Sequence, residues 1–167
     1  MNKPEQDAVI DLLRKSWLTH DAMWVAAVYQ ECGPEVANKL NAKAIQSLTP
    51  IETKRFQKVL NLPSVDTFER LRAFVDGAFH IVSGDFTDYR ITYPKHNILR
   101  WHAAQCFAFE GIKKLGMIDH YQCGILERVE GWFKALQIPY KMLPKIEGCN
   151  MHNKGTCELD IQFFFEQ

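Results

Sequence analysis

Four cysteines carry the plainest chemical potential in this chain of 167 residues. Cys106, Cys123, Cys149 and Cys157 fall within 52 residues; His102 sits four residues before Cys106, and His152 lies between Cys149 and Cys157. Thiolates and imidazoles are the donors that tetrahedral Zn²⁺ takes, four at a time. On a helix, His102 and Cys106 would share a face, being four residues apart. The segment 147–157, EGCNMHNKGTC, reads as a polar loop with thiols near both ends and glycines that permit a tight turn. No pair has the C-x-x-C spacing, so three uses stay open. They are a metal site, buried unreactive thiols in an aromatic core, and a nucleophilic or redox thiol. For the last, Cys106 or Cys149 would be paired with His102 or His152 as base. Cys32 stands apart before Gly33-Pro34 and reads as a small hydrophobe at a helix end. The charged N-terminus has no signal-peptide core, so a cytoplasmic location with reduced thiols is expected.

Other ionisable groups offer less. His20 and Asp21 are neighbours, and adjacent helix positions do not face each other, so Asp21 reads as a helix cap. His80, His96 and His120 read as edge or loop residues, and Asp88 with Arg90 as a surface pair on one strand face. No phosphate-cradling glycine loop, GxSxG or HExxH occurs. Lysine plus arginine and aspartate plus glutamate number 20 each, for a net charge of zero. That balance argues against nucleic acid or an acidic membrane as partner. No window approaches 18 apolar residues, which argues against a membrane span.

These groups need a frame, and the apolar pattern supplies one. Residues 4–83 predict about five helices. The first is interrupted at Thr19-His20-Asp21, the second stops at Cys32-Gly33-Pro34, and the third covers 35–48. The fourth opens at Thr49-Pro50-Ile51-Glu52, which has the residues of a capping box. The fifth runs from 65 to 82 with Phe68, Leu71, Phe74, Val75, Ala78, Phe79 and Val82 as a continuous stripe. After Ser83-Gly84 the texture changes. Residues 86–93 predict a strand, 97–115 a helix, and 119–136 a second helix capped by Asp119. A proline-bearing edge strand follows at 138–147, and then a strand at 156–165 with strict alternation. The expectation is an α+β fold: an N-terminal helical subdomain (1–84), then a small antiparallel sheet with two helices on one face. The second part (85–167) would be a metal-binding subdomain ordered strand-helix-helix-strand-strand, the two parts forming one compact domain. Phe79, Tyr89, Trp101, Phe107 and Trp132 could line an apolar ligand pocket between helices and sheet, or simply fill the core.

Two resemblances add to this. The stretch IEGCNMHNKGTCELDIQF, with Cys123, Cys149 and Cys157 separated by 25 and 7 residues, resembles the end of a 4-vinyl reductase domain. The resemblance implies zinc bound by Cys123, Cys149 and Cys157, with Glu147 the nearest acidic candidate, and an aromatic effector. Over nearly the whole chain, WLTHDAMWVAAVYQECGPEVANKLNAKAIQSLTPIETKRF resembles a family of small uncharacterised bacterial cytosolic proteins. Relatives of that family are named as amino-thiazoline carboxylate hydrolases. Its members carry a Cys-x-x-Gln pattern where this chain has His102-Ala103-Ala104-Gln105. That position implies His102 as fourth ligand, with Cys106, Glu147 and His152 as alternates.

The function expected is therefore a protein that holds a metal, zinc or another transition metal such as iron, and binds a small apolar or aromatic molecule. One alternative is a hydrolase of a small cyclic or amide substrate, using a cysteine thiolate or metal-bound water. Another is a homodimeric scaffold with Met23 and Trp24 in its seam.

Overall fold

The computed structural model describes residues 4–165. It is α+β: five helices and a four-stranded antiparallel sheet with a long helix at the N-terminus. Helix α1 (Gln6–Val59) breaks once, at Gly33, whose φ of 80° only glycine adopts readily. Its first arm covers 6–32 and its second 34–59. The breaks expected at Thr19-His20-Asp21 and at Thr49-Pro50 do not occur, and Asp21 caps nothing. Thr49 and Glu52 are instead buried by tertiary contacts. Tertiary use thus overrides the local capping signature. No helix among the described residues is long and apolar enough to cross a membrane.

Helix α2 (Phe68–Val82) buries Phe68, Leu71, Phe74, Val75, Ala78 and Phe79, as its stripe predicts. The Thr67 hydroxyl accepts from the amide of Arg70 at its start. At its end Arg14, from the first arm of α1, donates to the carbonyls of Ile81 and His80 at 2.8 and 2.9 Å. A cation there meets the negative end of the helix dipole.

The sheet comprises β1 (Asp88–Lys95), β2 (Ile98–Gln105), β3 (Tyr140–Leu143) and β4 (Cys157–Phe163) in the order β1-β2-β4-β3. Strand β2 corrects the helix expected over 97–115. Leu99, Trp101 and Ala103 alternate inward, and pairing on both sides with β1 and β4 outweighs the helix preference of the alanines. Helix α3 is left with Phe107–Lys114. A 3₁₀ turn (Ile118–His120) precedes α4 (Gly124–Ala135), and the loop expected between the last strands holds a short helix, α5 (Asn150–Lys154).

One face of the sheet meets the core. Leu99, Trp101, Leu159, Ile161 and Phe163 pack there against Phe74, Phe79, Trp132 and Phe133 of α2 and α4. The other face is polar, with Arg100 gripping Asp160 at 2.7 and 2.8 Å across the strands and Arg90 holding Asp88. The second arm of α1 lies close along α4 because Gly131 gives it room. A Cβ there would stand 2.6 Å from the side chain of Thr49.

Candidate functional site

The four C-terminal cysteines lie in one neighbourhood of the fold. Each thiol lies within electrostatic reach of the other three. Cys106 immediately precedes α3, Cys123 precedes α4 and Cys149 precedes α5, while Cys157 opens β4 opposite Ala103. A chain of polar contacts aligns these starts. Asn38, on the second arm of α1, accepts from the amide of Gln122 at 3.0 Å and donates to the carbonyl of His120 at 2.7 Å. The Gln122 side chain accepts from the amide of Gly148 at 3.1 Å. Residues flanking Cys123 and Cys149 are thereby tied together.

The surroundings of the thiols are mostly apolar. Burial pushes Cys123 up to about 12 and raises Cys149 and Cys157 above the usual thiol range. Main-chain amides oppose this: Leu126 beside Cys123, Met151 and His152 beside Cys149. None of them closes a regular cap hydrogen bond. The indole N–H of Trp101 faces Cys157. Trp101 is 1% exposed, and its nitrogen has no hydrogen-bond partner. The Tyr89 hydroxyl lies 3.6 Å from the Cys106 sulfur, and burial raises its pKa strongly. Among the described residues, no three His, Cys, Asp or Glu side chains stand already arranged to hold a metal ion.

The expected fourth ligand is elsewhere. His102 pairs with Glu158 and Arg90 in the sheet register, so it shares the polar outer face, whereas Cys157 is aligned with inward Ala103. The period of two in β2 sends it there. Glu147 sits in solvent, its carboxylate 3.7 Å from Lys145 Nζ. His152 turns its Nε2 to Asp119 at 3.0 Å. Of the alternates, Cys106 lies within electrostatic reach of the other three thiols.

A cavity of about 620 Å³ lies between both arms of α1, α3 and α4. Trp17, Leu18, Ile45, Phe107, Ile112 and Ile125 are among its walls, and Asp21, Glu110, Lys114 and Arg128 are its charged groups. Tyr121 connects it to the thiols. This residue lines the cavity, accepts from the Gly124 amide at 2.9 Å, and lies near Cys106, Cys123 and Cys149. Four of the five aromatics expected around a pocket, Phe79, Tyr89, Phe107 and Trp132, line a second, smaller pouch of about 30 Å³. The fifth, Trp101, lines neither space; it is core.

Arg128 stands at the border of both spaces. It donates from Nε to Glu52 at 2.8 Å and from Nη2 to the other oxygen of the same carboxylate. Trp132 Nε1 donates to Glu52 at 2.8 Å, and the ring of Trp17 lies 4.7 Å from the guanidinium carbon. Sequence reasoning missed Glu52, Arg128 and Gly111. The one local signal was a glycine in the middle of the short α3.

Residues 1–154 match DUF6125, a family of unknown function. No curated protein matches the chain.

Proposed function

We propose that this chain, which belongs to the DUF6125 family, binds a small, largely apolar molecule in the cavity between α1, α3 and α4. The observation that carries the reading is that cavity of about 620 Å³, inside the roughly 300–1,000 Å³ of small-molecule pockets. Gly111 supports it. This residue lines the cavity from within α3, with nothing within 4 Å of where a Cβ would stand. A glycine costs a helix roughly 0.5–1 kcal/mol against alanine, and what it provides here is space. The test is titration with the fluorescent apolar probe 1-anilinonaphthalene-8-sulfonate. Saturable binding at one site per chain is expected, weakened about tenfold or more (about 1.4 kcal/mol) in Gly111→Trp, with no loss of thermal stability. Equal binding by a folded Gly111→Trp chain would overturn the reading.

The thiols enter the same proposal as a site for a zinc-class ion, held by Cys106, Cys123, Cys149 and Cys157. Four soft sulfur donors, backbone amides beside two of them and an orphaned indole N–H beside a third suit such an ion. With four protein ligands it would serve structure, tying β4 to the starts of α3, α4 and α5. The likeness of the C-terminal segment to 4-vinyl reductase domains belongs to this part of the proposal. Use of Cys149 as a hydrolase nucleophile is less favoured, because burial raises its thiol where a nucleophile needs it lowered. Elemental analysis decides the metal: about one ion per wild-type chain, lost in both Cys149→Ser and Cys106→Ser. Unchanged content in either variant would refute the four-thiol set.

A further inference from the structure

The cavity and the aromatic pouch are neighbours with a common wall. Leu18, Phe86, Phe107, Ile125 and Arg128 border both. Of these, Leu18 comes from the first arm of α1, which buries one other side chain, Ala26. Leu18 is 8% exposed, wedged between the two spaces. The pouch behind it holds about 30 Å³, room enough for water by size alone. Water has little reason to settle there. The Thr87 hydroxyl is committed to the carbonyl of Gly84, Arg128 to Glu52, and the Tyr89 hydroxyl is turned to Cys106. The remaining walls, such as Phe79, Val82, Val129 and Trp132, are apolar.

We propose that the pouch is a subsite for the apolar terminus of the molecule the cavity binds, and that Leu18 is the stopper that sets how far that terminus reaches. The inference rests on the cavity reading and deepens it. The ligand class becomes an elongated molecule ending in an aliphatic or aryl group, its polar part left among Asp21, Glu110 and Lys114 in the larger space. Leu18 is suited to the role because it hangs from the arm beyond the Gly33 break, not from the sheet or α4.

The test uses the full chain and a homologous series of straight-chain primary alcohols competing with 1-anilinonaphthalene-8-sulfonate. In the wild type, affinity should rise about fourfold per methylene (about 0.8 kcal/mol each) and then level off at a limiting length. Leu18→Ala should move that limit outward by about three carbons, the number the substitution removes. Leu18→Phe should move it inward. Should Leu18→Ala lose its cooperative melt, Leu18→Val gives the same test with a smaller displacement. One limiting length shared by all folded variants would overturn the stopper while leaving wild-type binding intact. Absence of any dye binding by the wild type would instead remove the cavity reading, and the stopper with it.

Discussion

Two carboxylates, one on each arm of α1, lie beside the same arginine, and they do so on different terms. Glu52, on the second arm, is buried and takes two guanidinium hydrogen bonds from Arg128 and one from the Trp132 indole. Asp21, on the first arm, is exposed and feels Arg128 and His20 only through space, and partial desolvation pushes its carboxyl above the usual range. The difference extends along the whole helix. The second arm buries Ala37, Thr49, Glu52, Thr53 and Phe56 against the body, while the first buries only Leu18 and Ala26 and leaves Trp24 68% exposed. One arm is scaffold, and the other is a cavity wall that is tied to the end of α2 through Arg14 and whose Asp21 meets Arg128 only through space. A helix that packs well on one side of a glycine and poorly on the other divides stability from binding within a single element.

The largest test of that division is Glu52→Ala. Removing one partner of a buried, hydrogen-bonded ion pair leaves the Arg128 charge uncompensated and the Trp132 N–H without an acceptor, at a cost of about 3–5 kcal/mol. Urea denaturation should record that loss with little change in slope. A cost under about 1 kcal/mol would mean that the second arm is no more scaffold than the first.

Next in size is Gly131→Ala. The added methyl would meet the side chain of Thr49, itself fully buried, at 2.6 Å. Overpacking of this kind costs about 1–3 kcal/mol. Thr49→Ala in the same chain should recover part of it, a coupling that a double-mutant cycle measures. Additive losses would show that the second arm of α1 and α4 are not held at the separation set by this contact.

Much of the scaffold was legible in the residues, and the cavity was not. The α2 stripe and the alternation of β4 are written in periods of 3.6 and 2, and both elements stand where those periods put them. The apolar, glycine-bearing run before Gly116 hid β2, because Ala103 and Ala104 favour a helix until β1 and β4 pair with their strand. Thr49-Pro50-Ile51-Glu52 has the residues of a helix start. Its threonine and glutamate are spent on Gly131, Arg128 and Trp132, so the helix runs through. His102 was misdirected by the same error, since a strand sends it outward where a helix would have set it beside Cys106. A cavity is space between elements distant in sequence, and no local period spells it. Leu18, Gly111 and Arg128 acquire their roles only when three helices come together.

The finest test concerns Asp21. Its carboxyl titrates higher in the folded chain than in the unfolded one, because partial desolvation at the cavity rim, where the residue stays exposed, outweighs the attraction of Arg128 and His20. The folded state therefore binds more protons over the window between the ordinary aspartate value and the raised one. Stability attributable to this group falls as pH rises through that window. Above that window the folded chain bears the penalty, and below the ordinary aspartate range it bears none. Asp21→Asn keeps the shape and removes the charge, so it should raise the melting temperature slightly at neutral pH, with the gain fading to nothing in acid. Glu52→Gln offers the contrast, as it should lower the melting temperature at neutral pH. If Asp21→Asn were also destabilising at neutral pH, Asp21 would be holding Arg128 much as Glu52 does, and the two arms would differ in degree but not in kind.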